Sequence, residues 1–187
     1  MSAKLRLAIN GYGRIGRCFL RALYESSACE QFEIVAINEP ADLDSMAYLT
    51  RFDSTHGVFP GEVDQGKQTL IINGHSIKVT HADKPESVDW GAYNLDVLVE
   101  CSGRYSSRSE LMRFIQAGCP RLLLSQPADG AAEVDQTIVY GINEHVLKGD
   151  EVLVSNASCT TNAIVPVLAA LNRAFSLEHA FLTTLHS

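Results

Sequence analysis

The sequence predicts an α/β fold, a doubly wound and mostly parallel sheet with helices between successive strands. Three observations carry the prediction. Apolar strand-like runs alternate with helical stretches along most of the chain. The spacing G-x-G-x-x-G (Gly11, Gly13, Gly16) stands between the first strand and the first helix. The strong hairpin signal Asn73-Gly74 stands between two short apolar runs, as in an insertion at a sheet edge.

The elements follow in order. Residues 5–9 alternate into a strand, and residues 14–27 read as a helix. A second strand at 33–37 completes a βαβ unit and ends at Asn38-Glu39. A helix over 42–51 has Asp42 as its N-cap, and a Gly/Pro-containing loop covers 53–61. Strands at 69–72 and 75–80 flank Asn73-Gly74. A buried strand at 96–101, a helix at 109–117 stopped by Gly118, and strands at 121–125, 137–140 and 152–154 complete the sheet. A short helix is expected near 144–147 and a longer one over 163–174, kinked at Pro166; a strand is expected over 179–186. Trp90 and Phe114 read as core, and His56 as a loop residue.

The glycine motif has a mechanical reading. Gly11 permits a tight turn, Gly13 lets backbone approach a pyrophosphate, and Gly16 lets helix pack on strand. The helix N-terminus offers N–H donors near Arg14 and Ile15. Glu39, at the end of the second strand, suits the ribose hydroxyls and repels a 2′-phosphate, which favours NAD over NADP. This makes residues 1–157 a Rossmann-type dinucleotide domain.

The second motif is Ser155-Asn156-Ala157-Ser158-Cys159-Thr160-Thr161-Asn162. It places Cys159 between a strand and a helix, with Asn156 and Ser158 as N-cap residues. A thiol at a helix start faces unpaired N–H groups and the positive end of the dipole, a setting that favours thiolates. About sixteen helical residues carry the chain roughly 24 Å away at 1.5 Å each. The expected strand returns about 25 Å at roughly 3.3 Å per residue. An antiparallel return sets His186 level with Cys159, a nucleophile–base pair. The competing reading makes Cys159 a small structural residue and His186 an ordinary strand end.

Composition narrows the classes. The chain has 187 residues, 46% of them hydrophobic, which suffices for a core. Its 15 basic and 22 acidic residues leave a net charge of −7 without a basic run, which argues against nucleic-acid and membrane-surface roles. Five cysteines at irregular spacing, without a C-x-x-C pair, fit neither a zinc site nor a redox motif, so no metal is expected. Free thiols and the lack of a signal-peptide pattern point to a cytoplasmic protein.

These residues carry a family resemblance. Asn10-Gly11-Tyr12-Gly13-Arg14-Ile15-Gly16-Arg17, Asp53-Ser54-Thr55-His56-Gly57 and, above all, the motif around Cys159 resemble the glyceraldehyde-3-phosphate dehydrogenase family over the whole chain. The resemblance implies Cys159 as nucleophile and His186 as base. It implies Gly11, Gly13, Arg14, Ile15, Asn38, Glu39, Ser102, Gly103 and Ser125 around NAD, and Ser158 and Thr160 in binding substrate phosphate. It also implies a homotetramer and a further stretch of catalytic domain beyond residue 187. Asn38-Glu39-Pro40-Ala41-Asp42 and Cys101-Ser102-Gly103-Arg104-Tyr105 are more similar to the erythrose-4-phosphate dehydrogenase branch, and through it to pyridoxine biosynthesis. Ala163 departs from the many members with a second cysteine there. Three readings stay open. One is oxidation of erythrose 4-phosphate, with water as acyl acceptor. Another is oxidation of glyceraldehyde 3-phosphate, with inorganic phosphate as acceptor. The last is a NAD-binding module without catalysis.

Overall fold

A computed structural model describes residues 3–185. Its centre is a nine-stranded sheet. In chain order the elements are β1 (Leu5–Asn10), α1 (Arg14–Glu25), β2 (Phe32–Asn38), α2 (Leu43–Arg51), the two-residue β3 (Phe52–Asp53) and β4 (Gly57–Val58), and β5 (Val63–Gly66). Then come β6 (Thr69–Ile72), β7 (His75–Thr80), β8 (Val97–Glu100), α3 (Arg108–Gln116), β9 (Leu122–Leu124), β10 (Gln136–Thr137), β11 (Leu153–Ser155) and α4 (Cys159–Phe175). The spatial order is β10-β11-β9-β8-β1-β2-β7-β6-β5, while β3 and β4 form a separate ribbon. From β10 to β7 every pair is parallel, and the antiparallel β5 and β6 extend that edge. The doubly wound sheet with an edge hairpin is therefore the observed fold.

Parallel strands covered on both faces lose the in–out alternation of polarity. Thus β1 runs from an exposed Leu5 to four consecutive buried residues. Its side chains still alternate between faces. Leu7 and Ile9 join a core with Leu20, Ile37, Leu70 and Ile77. Ala8 joins the opposite core with Trp90, Leu98, Phe114 and Leu122. Trp90 is fully buried, and its indole N–H donates to the Pro85 carbonyl at 3.1 Å. The β6–β7 turn has φ of 50° at Asn73 and 80° at Gly74, the left-handed pair that a tight hairpin needs.

Helix starts follow the caps. Asp42 accepts the Ser45 N–H at 2.8 Å. Ser107 and Glu110 form a reciprocal capping box at α3. Two elements are shorter than expected. The strand over 137–140 contracts to Gln136–Thr137, because the Val139 N–H is taken by Asn143 Oδ1 at 2.7 Å in a turn. The helix near 144–147 is a single 3₁₀ turn, Glu144–Val146.

The end of the chain differs more. Residues 176–185 form neither strand nor helix, and Phe181 and Leu185 are fully exposed. A strand is stable only beside a partner that takes up its N–H and C=O groups, and among the described residues no neighbouring strand lies there. The helix α4 itself runs through Pro166 without a buried residue. His186 lies outside the described residues.

Candidate functional site

The sheet reverses its winding between β1 and β8, and ligands of such sheets sit outside the carboxyl ends of the strands at that point. A cleft of about 200 Å³ opens there. The turns after β1, β2, β7 and β8 supply its walls, including Gly11, Gly13, Glu39, Ala82, Ser102, Arg104 and Tyr105.

The three glycines differ in what a side chain would meet. Gly11 has φ of +87°, and a Cβ on it would lie 2.5 Å from Ser102 Cα and N, so the turns after β1 and β8 are in backbone contact. A Cβ on Gly16 would lie 2.2 Å from the Gly11 carbonyl oxygen, so helix and turn touch. A Cβ on Gly13 would meet nothing within 4 Å. Its bareness serves no internal packing and leaves room for a ligand.

Gly13 is also the N-cap of α1. No side chain caps that helix, and its first turn holds no acidic residue. The first intrahelical bond is Arg17 N–H to Gly13 O at 3.1 Å, so the Arg14, Ile15 and Gly16 N–H groups face outward, an anion site. Glu39 is fixed beside it. One carboxylate oxygen accepts the Tyr12 N–H at 2.5 Å, and the other accepts the Ala41 N–H at 3.2 Å. A dinucleotide fits this donor set, with pyrophosphate at α1 and ribose hydroxyls at Glu39.

The remaining expected cofactor residues fall on the same edge in different roles. Asn38 is buried, 3% exposed, and its amide points along the sheet edge to Asn10. The Ser102 N–H and hydroxyl both donate to Glu100. Gly103 has φ of +73° and turns the chain after β8. The Ser125 N–H closes on Glu100 O at 3.0 Å, and burial pushes the Cys101 thiol up to about 12. The Arg14 side chain leaves the cleft to pair with Asp53 at 2.5 Å, holding that carboxyl well below the usual carboxylate range. The Asp53 carboxylate also accepts the Thr55 and His56 N–H groups, so His56 is an exposed loop residue.

Three strands, β9, β8 and β1, separate β11 and the far end of the site from β2. After β11, Ala157 takes φ of +58° and turns the chain into α4. Ser158 caps the helix by accepting the Thr161 N–H at 3.0 Å, and its hydroxyl also bonds the Thr160 and Thr161 hydroxyls. Of the two candidate caps, Ser158 serves; the Asn156 carbonyl instead accepts from Asn162 Nδ2 at 2.7 Å. Cys159 is the first helical residue and is exposed. Because β11, β9, β8 and β1 are mutually parallel, its thiol stands on the same edge as the glycine turn.

Sequence reasoning passed over Asn10, Glu100, Ala82 and Asp83. Asn10 and Glu100 carry a signal, as polar residues closing otherwise apolar strands. Ala82 and Asp83 carry none; they reach the cleft because β7 lies parallel beside β2. Among the described residues, no group of acidic, histidine and cysteine side chains is placed to hold a metal, and no helix is long and apolar enough to cross a membrane.

Comparison with known proteins agrees with this geometry. The family model for the NAD-binding domain of glyceraldehyde 3-phosphate dehydrogenase matches residues 5–108. The model for the C-terminal domain of the same enzyme matches residues 158–187. A glyceraldehyde-3-phosphate dehydrogenase from Pseudomonas aeruginosa is 43% identical over 183 residues, covering 98% of this chain and 54% of that protein. The chain thus spans about half the length of that curated relative. With the NAD-binding family model over residues 5–108 and a relative 43% identical over 98% of the chain, the chain belongs to the glyceraldehyde-3-phosphate dehydrogenase family.

Proposed function

We propose that residues 1–157 form the NAD domain, and 158–187 the start of the catalytic domain, of an enzyme that oxidises a sugar-phosphate aldehyde. One observation carries the reading. Cys159 is exposed at the first position of a capped helix, on the rim that holds the glycine turn.

The Cys159 sulfur attacks the aldehyde carbon to give a thiohemiacetal. With the Thr161 N–H taken by Ser158, the Cys159 and Thr160 N–H groups are left for the developing oxyanion. Ser158 and Thr160, already linked through their hydroxyls, offer donors to the substrate phosphate. His186 takes the hydroxyl proton as the thiohemiacetal becomes a thioester. Bound NAD supplies the hydride acceptor. Water then releases a carboxylic acid and regenerates the thiol.

The substrate we favour is D-erythrose 4-phosphate, giving 4-phosphoerythronate. The stretch Asn38-Glu39-Pro40-Ala41-Asp42, with Glu39 holding the glycine turn, supports that branch. The name of the Pseudomonas relative supports a second reading, glyceraldehyde 3-phosphate with inorganic phosphate as acyl acceptor. Steady-state assays of the full-length protein on both aldehydes, with and without phosphate, separate the two. Turnover of erythrose 4-phosphate without phosphate is expected; a strict phosphate requirement with glyceraldehyde 3-phosphate contradicts it. In the same protein, Cys159→Ser is expected to lower kcat at least about a thousandfold, since a covalent nucleophile supplies several kcal/mol. Turnover within about tenfold of wild type removes Cys159 from this role. The family resemblance supports a cytoplasmic homotetramer, measurable by sedimentation.

The 187-residue chain alone is expected to act as a NAD-binding module without turnover. The unburied α4 and the exposed residues 176–185 favour that behaviour.

A further inference from the structure

One line of side-chain hydrogen bonds crosses four strand ends beneath the dinucleotide cleft. From β7, the Thr80 hydroxyl donates to Asn38 Oδ1 at 2.8 Å, and the Ala82 N–H donates to the same oxygen at 2.9 Å. Asn38 Nδ2 donates to Asn10 Oδ1 at 2.8 Å. Asn10 Nδ2 donates to Glu100 Oε2 at 2.6 Å. The other Glu100 oxygen accepts the Ser102 N–H at 2.7 Å and the Ser102 hydroxyl. Glu100 is wholly buried, and Asn10 and Asn38 nearly so.

The direction of every bond is dictated from the ends. A backbone N–H only donates, so the Asn38 atom facing Ala82 is its oxygen. Its amide nitrogen then faces Asn10, which must answer with oxygen and turn its own nitrogen to Glu100. At the far end the Ser102 N–H also only donates. Both Glu100 oxygens therefore meet donors. Burial alone raises the carboxyl's affinity for a proton, and the bonds from Ser102 and Asn10 oppose that.

A buried carboxylate is costly, and an apolar side chain would fill the end of β8. What the carboxylate adds is reach. Asn10 precedes Gly11, Asn38 precedes Glu39, and Ser102 and Ala82 line the cleft themselves. The Gly11 and Ser102 backbones are in contact, so their spacing depends on what stands behind them. We propose that Glu100 is a positioning residue for the dinucleotide: through Asn10 and Ser102 its buried carboxylate holds the turns after β1 and β8 at the spacing the cofactor needs. This rests on the reading of the cleft as the NAD site.

Glu100→Gln keeps the shape but replaces one acceptor by a donor. In either orientation its NH₂ faces another donor, Asn10 Nδ2 or the Ser102 N–H. Asn10→Asp sets one carboxylate against another. The double variant restores complementarity, because Gln can donate to Asp and still accept from Ser102. Calorimetry with NAD on the 187-residue chain is expected to show affinity down at least about tenfold in each single variant. The double variant is expected to recover to within about threefold of wild type. Circular dichroism on the same samples reports folding, which a merely structural role would change without changing the affinity of the folded protein. Thr80→Val, which removes the donor at the β7 end of the line and keeps the side-chain shape, keeps the test open if a single variant does not fold; a loss of about two- to fivefold is expected.

Folded single variants, or a Thr80→Val protein, binding NAD as wild type does would overturn the proposal. So would a double variant no better than the singles. A wild-type chain that does not bind NAD overturns the reading of the cleft itself, a different result from equal binding by wild type and variants.

Discussion

The dinucleotide cleft and the head of α4 share one edge of one sheet, yet they are held in opposite ways. Behind the cleft, the turns are tied to one another by contacts between strands: Gly11 against Ser102, Glu39 on the Tyr12 N–H, and Glu100 between Asn10 and Ser102. The head of α4 is held locally, by a Ser158 cap and a left-handed Ala157. Beyond it the helix buries no residue, and Val167, Leu171 and Phe175 are exposed. A cleft can thus be walled within one sheet, while an exposed thiol is placed by its own turn at the head of a helix without a buried residue.

The strongest way to break that comparison is through the glycines. Gly11→Ala forces a Cβ into the Ser102 backbone at a left-handed φ and is expected to cost more than about 3 kcal/mol of stability in denaturant unfolding. Gly13→Ala meets open space, so apo stability should stay within about 0.5 kcal/mol. NAD affinity should nevertheless fall at least about tenfold, as read by calorimetry. Equal effects of the two changes would mean that the cleft is not the cofactor's.

Hydrogen exchange sharpens the contrast further. Amides of β1 and β8 should open only with global unfolding, and those of α4 several kcal/mol more readily, since its helicity lacks a buried face. Ser158→Ala should cost about 1 kcal/mol of α4 protection and leave the sheet amides unchanged. Sheet-like protection along α4 would contradict the difference drawn here.

A smaller effect is set by pH. The Arg14 guanidinium and two backbone N–H groups hold Asp53 below the usual carboxylate range. A carboxyl depressed in the folded state adds stability above its unfolded pKa, and that contribution is lost as pH falls through about 4 and below. The unfolding midpoint should therefore drop on acidification, and Asp53→Asn should make the drop shallower. A midpoint that rises toward pH 3 would show the opposite sign.

Much of the cleft was legible because local chemistry decided it. A glycine that must take positive φ, an acidic residue ending a strand, and a cysteine after a cap residue each follow from their near neighbours. The polar line from Thr80 to Ser102 was not legible, because it depends on which strands become neighbours; Asn10 and Glu100 are 90 residues apart in sequence. The expected strand over 179–186 failed for the complementary reason. Its apolar run has the right composition, but a strand is a property of two segments, and among the described residues no strand lies beside 176–185.

The most direct test of the NAD cleft is an amide-resolved NMR titration of the 187-residue chain with NAD. The largest shifts are expected at Gly11 to Gly16, Glu39 and Ser102, with the β5–β6 edge unchanged. Shifts confined to the opposite rim, or no shifts at millimolar NAD, would contradict it.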